Sequence, residues 1–326
     1  PVLLDKVAFA FCSEHGVTAG IEERLCRFGA DEHLFGILSR NAQVVGETAI
    51  VLFNAGSVHR VGPNRVYVML ARNLAAQGVS CFRFDLESLG DSVLRSPGRE
   101  GHPYPDTAID DARAALGYLQ REFGFKRFIA MGLCSGAHTA FHAARDLEQD
   151  PIAEIILINP LTFHWVEGLS LATSVQFADM ASYRKSARTS TNWVRLLRGE
   201  VGIAKLTRVT LAHLKSTGKA YLDATREILF PAIAPQLSRD LNKLFAMRRQ
   251  ITMVLSDGDP GRDLLMAGAR HTASKGLKTG QIRIHVIANA DHTFSQSAPR
   301  KELIERLCAL VGRPNKHASH DGSIVP

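Results

Sequence analysis

The sequence predicts an α/β protein: a mostly parallel sheet with helices on both faces, carrying an inserted helical cap. Three observations carry that prediction. Apolar runs of strand length alternate with segments of helical period from Thr48 to Asn159. The alternation stops between Leu161 and Gln250, where helix formers dominate. It resumes at Ile251 and runs to Val311. The expected organisation is therefore an N-terminal core part over 1–160, a cap over 161–250, a C-terminal core part over 251–313 and a polar, disordered tail over 314–326.

In order, Arg24–Phe28 and Leu34–Leu38 read as early antiparallel strands. Thr48–Phe53 (TAIVLF) is a continuous apolar run of strand length. After a loop containing Gly56, Gly62 and Pro63, Arg65–Gln77 has helical period and stops at Gly78. Val79–Leu86 is the next strand. A helix from about Asp106 to Phe123 carries Asp106, Asp110 and Asp111 near its start, where negative charge is favoured. Arg127–Met131 is a strand, Ser135–Leu147 a helix and Ile152–Asn159 a strand. Beyond the cap, strands are expected at Ile251–Leu255 and Gln281–Ile287, and helices at Arg262–Ser274 and Pro299–Val311. There is no internal repeat.

The composition, 45% hydrophobic and 22% charged over 326 residues, is that of a globular protein. No run of eighteen apolar residues occurs, so no transmembrane segment is expected. The apolar start, Pro1–Cys12, lacks the basic leader and small-residue cleavage site of a signal peptide. Five cysteines without a C-x-x-C pair indicate neither a zinc site nor a dithiol motif, and they fit a reducing cytoplasm. The formal charge of +7 is local: roughly fourteen Lys/Arg against six Asp/Glu lie between residues 164 and 249. Such a face suits an anionic substrate, a carrier protein or a membrane surface, or is only a solvated helix face. No nucleic-acid recognition motif accompanies it. No metal or cofactor is expected, and the oligomeric state cannot be read.

The chemistry concentrates at Phe128–Ala137 (FIAMGLCSGA), a strand, then G-x-C-x-G, then a helix. Gly132 and Gly136 flank Cys134 at the spacing that lets the backbone bend sharply and present the central side chain. The helix N-terminus that follows favours negative charge on the sulfur. Ser135 is the alternative nucleophile, but Leu133 would then crowd the turn; a buried structural cysteine is the third reading. A base and an acid stand in the required order. His292 lies in ANADHTFS after the last strand, and Asp259 lies in SDGDPG after the strand before it, with Asp257 as the alternative acid. Backbone N–H groups of Ser135 and of Gly56 or Ser57 are the candidate oxyanion donors. His59, Arg60 and Arg65 are candidates to contact an acidic substrate group or to pin their own loop.

With these residues on the page, the chain resembles the α/β-hydrolase superfamily over roughly residues 20–313, and within it the serine-aminopeptidase-like branch. DLESLGDS (Asp85, Gly90, Asp91, Ser92) is similar to that branch's D-x-x-G-x-G-x-S loop without its second glycine. FNAGSVHRVGPNR and NWVRLLRGEV resemble hydrolases found with bacterial exosortase and exopolysaccharide systems. Cysteine replaces the branch's serine, as in dienelactone hydrolases and polyhydroxyalkanoate synthases, and Asn54 stands where histidine usually opens the oxyanion loop. The resemblance implies a hydrolase fold and acyl chemistry. The cysteine shifts the expected activity from peptidase to thioesterase or acyltransferase, acting through an acyl-cysteine on acyl-CoA, an acyl-carrier protein or an activated ester. The alternatives are a simple ester or lactone hydrolase and a non-catalytic binding protein on the same fold.

Overall fold

The computed structural model describes residues 6–12, 18–44, 46–95, 100–165 and 234–312. Its strands are β1 (Lys6–Cys12), β2 (Thr18–Phe28), β3 (Leu34–Asn41), β4 (Thr48–Phe53), β5 (Ser80–Asp85), β6 (Arg127–Leu133), β7 (Ile152–Ile158), β8 (Gln250–Ser256) and β9 (Ile282–Ile287). The helices are α1 (Val66–Ala76), α2 (Ala108–Phe123), α3 (Ser135–Asp146), α4 (Gln236–Ala246), α5 (Gly261–Gly268), α6 (Arg270–Thr279) and α7 (Ser297–Val311). All strands join one sheet in the order β1-β2-β3-β5-β4-β6-β7-β8-β9. The first three and the β3–β5 pair are antiparallel; from β5 across to β9 every pairing is parallel. The C-terminal ends of β4 to β9 therefore open on one edge, where ligands bind in open α/β sheets.

Alternation along the strands divides the core. Ala49, Val51 and Phe53 of β4 face α2, α3 and α4, whereas Ile50 and Leu52 face α1 and α7. Burial on both faces explains why the central strands read as unbroken apolar runs.

Three elements differ from expectation. β1 pairs with β2 as an edge strand, although the N-terminal stretch gave no strand signal. The single helix expected over Arg262–Ser274 is two, α5 and α6, separated at Ala269, whose φ of −156° is extended. Gly268, just before the break, packs so tightly on α4 that a Cβ there would lie 2.8 Å from Leu237 Cδ2. α4 itself falls inside the expected cap but buries Leu237, Leu241 and Leu244 in the core, a helical spacing that faces the sheet. Residues 234–250 thus pack with the core. The rest of the expected cap from 166 to 233, the NWVRLLRGEV string and the tail 314–326 lie outside the described residues. Arg249, one of the cap's basic residues, is buried and donates to the carbonyls of Leu147, Glu148 and Asp150 at 2.8, 3.1 and 2.9 Å.

Candidate active site

Cys134 occupies the bend between β6 and α3 with φ 59° and ψ −116°, a conformation that a side chain disfavours and the surroundings impose. Its N–H donates to Ile158 C=O at 2.9 Å. The flanking glycines have no room for a side chain: a Cβ on Gly132 would meet the Gly136 carbonyl carbon at 2.2 Å, and one on Gly136 would meet Phe53 O at 2.5 Å. Tyr67, fully enclosed, locks the same place. Its hydroxyl accepts the Leu133 N–H at 2.8 Å and donates to Phe53 C=O at 2.9 Å, joining the ends of β4 and β6. Burial keeps that phenol protonated well above its usual range. Among the described residues Cys26, Cys81 and Cys308 are buried and only Cys134 is partly open. Burial pushes the thiols of Cys81 and Cys308 up to about 12, which makes them poor nucleophiles.

His292 Nδ1 lies 3.0 Å from Asp259 Oδ2, a carboxylate whose side chain is 1% exposed. Asp259 Oδ1 accepts the Gly261 N–H at 3.0 Å, so the acid is held by the start of α5. Of the two aspartates in that loop, Asp259 is the one that meets His292; Asp257 is exposed, and its N–H donates to Ile287 C=O at 3.0 Å. His292 Nε2 is enclosed without a partner of good hydrogen-bond geometry, and Cys134 is among the groups that shift it. Burial disfavours the imidazolium, but hydrogen bonds to Asp259 and Cys134, and the charges of both, outweigh it and raise His292 to about 9. The three side chains singled out from sequence thus meet at the open edge of the sheet. His138, one turn after Cys134 on α3, is shifted the other way: burial, then the charges of His142, His164 and Arg145, bring it down to about 3.

Asn159, which sequence reasoning passed over, organises the loops of the base and the acid. It is fully buried at φ 44°. Its Nδ2 donates to His292 C=O at 2.8 Å and its Oδ1 accepts the Ser256 N–H at 2.7 Å. Asp291 shapes the His292 loop further by accepting the N–H of Thr293 at 2.9 Å and of Ser295 at 3.1 Å. Its hydrogen bonds with Ser295 and Thr293, led by that from the Ser295 hydroxyl, hold Asp291 down to about 2.

Gly56, a candidate oxyanion donor, directs its N–H to Ser135 Oγ at 2.7 Å. The Ser135 hydroxyl therefore ties the loop after β4 to the bend, and it points away from a nucleophile's position; the residue is 1% exposed. Ser57 is exposed and donates through its hydroxyl to Gly101 C=O. Asn54 replaces a histidine with three bonds: Nδ2 to Val58 C=O at 3.0 Å and to Asp85 Oδ1 at 3.1 Å, and Oδ1 from the Leu86 N–H at 2.9 Å. Arg60 is turned inward. Its N–H and guanidinium bond Asp85, a second nitrogen meets Asp91 at 2.6 Å, and the group lies 4.3 Å from the centre of the Phe35 ring. Of the three candidate substrate contacts, Arg60 is thus committed to Asp85 and Asp91, which anchor its loop to the end of β5 and the loop beyond; His59 and Arg65 are exposed.

A ring wall that the sequence did not reveal adjoins the bend. Tyr104 stacks on Trp165 at 4.4 Å and meets the edge of His138 at 5.0 Å. Burial raises the Tyr104 phenol, and the nearby Cys134 adds to the rise. No signal at Tyr104 or Trp165 marks them out, because neither belongs to a motif.

A parallel sheet with a strained strand-to-helix bend, a histidine after its last strand and an aspartate after the one before is the arrangement of α/β hydrolases. The sequence matches the alpha/beta hydrolase family over residues 50–306, and the chain belongs to that family. No curated protein matches it. Among solved structures it is similar to a predicted CIB-like hydrolase from Thermoplasma acidophilum, with 14% identity, 90% of this chain and 99% of that chain covered, and a TM-score of 0.50. It is also similar to carboxyl esterase 2 from the mycorrhizal fungus Tuber melanosporum, with 14% identity, 94% and 85% covered, and a TM-score of 0.49. A dienelactone hydrolase from Anabaena variabilis matches with 12% identity, 94% and 96% covered, and a TM-score of 0.46. At 14% identity the likeness to the Thermoplasma acidophilum structure shows the fold alone. Among the described residues no helix is long and apolar enough to cross a membrane.

Proposed function

We propose that this chain is a cysteine-dependent acyl hydrolase or acyltransferase, with Cys134 as nucleophile, His292 as acid and base, and Asp259 orienting the imidazole. One observation carries the reading: the partly open thiol stands on the strained bend opposite a histidine whose other nitrogen is fixed by a buried carboxylate. In the reaction, the Cys134 thiolate attacks the acyl carbon and a C–S bond forms. The oxygen takes the negative charge against the Ser135 N–H, which as the first helical N–H has no intrahelical acceptor. The leaving group departs with the proton of the His292 imidazolium, leaving acyl-Cys134. Acylation removes the sulfur's charge, one of the causes that hold His292 at about 9, so the imidazole can then take a proton from water or another acceptor. Attack on the acyl carbon breaks the C–S bond and restores the ion pair.

Tyr104 and Trp165 favour a substrate with an apolar or planar acyl arm, because rings bury such groups with little entropy cost. A thiolate leaving group from acyl-CoA or a carrier-protein arm, or an activated ester, fits an acyl-cysteine best, since the thiol exchanges readily with each. A free nucleophilic thiol also needs a reducing compartment, for which we assign the protein to the cytoplasm. The likeness to exosortase-associated hydrolases remains a lead, carried by Phe53–Arg65 and by residues 192–201.

Intact mass after incubation with a panel of acyl-CoA and p-nitrophenyl esters tests this. We expect an acyl adduct on the wild type that is absent in Cys134→Ala and kept in Ser135→Ala, with turnover falling by about 10⁶ in Cys134→Ala. Adduct retained in Cys134→Ala would sink the reading by revealing another nucleophile, and a thiol probe that labels Cys308 as fast as Cys134 would sink it in favour of a binding protein. Faster transfer to an added amine or alcohol than to water would identify a transferase.

A further inference from the structure

Three buried side chains from distant parts of the chain converge behind the loop that follows β5. His33 precedes β3, Glu87 follows β5 and Asp111 lies in the first turn of α2; they are 5, 2 and 1% exposed. His33 Nε2 is 3.7 Å from Glu87 Oε2 and 3.9 Å from Asp111 Oδ1, and the ligand-type atoms of all three lie within 4.8 Å of one another.

The remaining polar atoms are already engaged. His33 Nδ1 lies 2.7 Å from Ala30 C=O, to which it donates. Asp111 Oδ2 accepts the Glu87 N–H at 2.8 Å and the Thr107 hydroxyl at 3.5 Å. Glu87 Oε1 accepts the Arg95 N–H at 2.8 Å. His33 Nε2 is buried, has no hydrogen-bond partner and lies between two carboxylate oxygens. Two carboxylates brought together at low dielectric repel one another unless positive charge lies between them. Arg95 answers part of that need, its guanidinium 3.4 Å from Glu87 Oε2, but its side chain is 40% exposed and it makes no ion pair with Asp111 among the described residues.

We propose that His33, Glu87 and Asp111 form a structural site for a divalent cation of the zinc or manganese class. One imidazole nitrogen and two carboxylate oxygens suit such ions. A backbone carbonyl on the far imidazole nitrogen, and backbone N–H groups on the far carboxylate oxygens, are the outer contacts that orient ligands of this kind. Bonds of about 2.0–2.2 Å would draw the donors inward by only a few tenths of an ångström. The ion would tie the β2–β3 turn, the loop after β5 and α2 together. That loop is already fastened at its far end by the Val93 N–H on His33 C=O at 2.8 Å. Asp85, at the head of the same loop, holds the loop after β4 through Asn54 and Arg60. The site thus stiffens the backing of the bend without joining the acyl reaction, and it stands whether or not that reaction is the right one.

The test is metal content and stability of the full chain, stripped with EDTA and then given Zn²⁺ alone or Mn²⁺ alone. We expect one equivalent by native mass, a rise in Tm of about 4 °C or more on reloading, and affinity at least about tenfold weaker in Asp111→Asn and in His33→Gln. Asp111→Asn keeps the side chain's shape, so a folded variant carries the comparison if His33→Gln unfolds. Wild type whose mass and Tm ignore both ions would overturn the proposal. So would an equivalent of metal that survives Asp111→Asn but disappears in Cys134→Ala.

Discussion

The loops after β6, β8 and β9 and those after β4 and β5 share one edge of the sheet, yet they treat polar atoms in opposite ways. Around Asp85, after β5, every carboxylate oxygen is saturated: Asn54 at 3.1 Å, the Arg60 N–H at 2.5 Å and the Asp91 N–H at 3.1 Å reach it together with the Arg60 guanidinium. Its own C=O accepts the Ser92 hydroxyl at 2.7 Å. Around Cys134 the backbone is strained, the thiol is partly open and His292 Nε2 lacks a hydrogen bond of good geometry. Saturated polar atoms fix a shape; a poised, incompletely satisfied pair is what can react. The first region is scaffold, and the second is where the proposed chemistry would sit.

The sharpest way to break this contrast is within the acid loop. Asp259→Asn should keep the fold but lower kcat by about 10⁴, because the amide no longer favours the tautomer and charge that His292 needs. Asp257→Asn should stay within about tenfold of wild type. Steady-state kinetics on both, with the best ester from the panel, decide it; equal losses would dissolve the assignment of Asp259. On the scaffold side the effect should fall on stability. Asp85→Ala leaves the Arg60 charge without its enclosed partner and Asn54 short of one acceptor, and should cost about 3–5 kcal/mol in denaturant unfolding.

The pH dependence sharpens the same boundary. His292 is raised above the ordinary 6.5 of a free histidine to about 9. Its raised value contributes stability that is complete below about 6.5 and is lost as pH rises through about 9. Acylation needs the imidazolium to protonate the leaving group, so the single-turnover rate should also fall above about 9. In Asp259→Asn the break should move to lower pH. An alkaline limb unmoved by that substitution would mean that another group titrates.

What could be read without the structure follows the same division. Gly132, Cys134 and Gly136 form a local motif, and His292 and Asp259 stand at fixed places relative to strands that apolar runs reveal, so their convergence was legible. The scaffold was not. Asn159 looks like the end of a strand, and Tyr67 like one more apolar position on α1; their roles arise from contacts across 133 and 66 positions of chain. His33, Glu87 and Asp111 have no ligand spacing and meet only because the loop after β5 folds back against the β2–β3 turn. β1 was missed for the related reason that an edge strand is half exposed, and Val7 at 47% exposure shows why its apolar pattern is weak.

Ser135 lies on the boundary between the two regions and gives the smallest expected effect. Its hydroxyl accepts the Gly56 N–H at 2.7 Å and lies 3.4 Å from Asn54 C=O, so it behaves as scaffold while standing one residue from the proposed nucleophile, Cys134. The developing oxyanion would compete with that hydroxyl for the Gly56 N–H, and a neutral hydrogen bond of this kind is worth about 1 kcal/mol. Removing the competitor in Ser135→Ala should therefore leave acylation of Cys134 intact and change its rate by no more than about fivefold, with a gain if Gly56 is the second oxyanion donor. Stopped-flow acylation measures it. A gain would show that the hydroxyl screens the donor in the resting enzyme, an unchanged rate would move the donor to Ser57, and a loss of several orders of magnitude would transfer Ser135 from the scaffold to the chemistry.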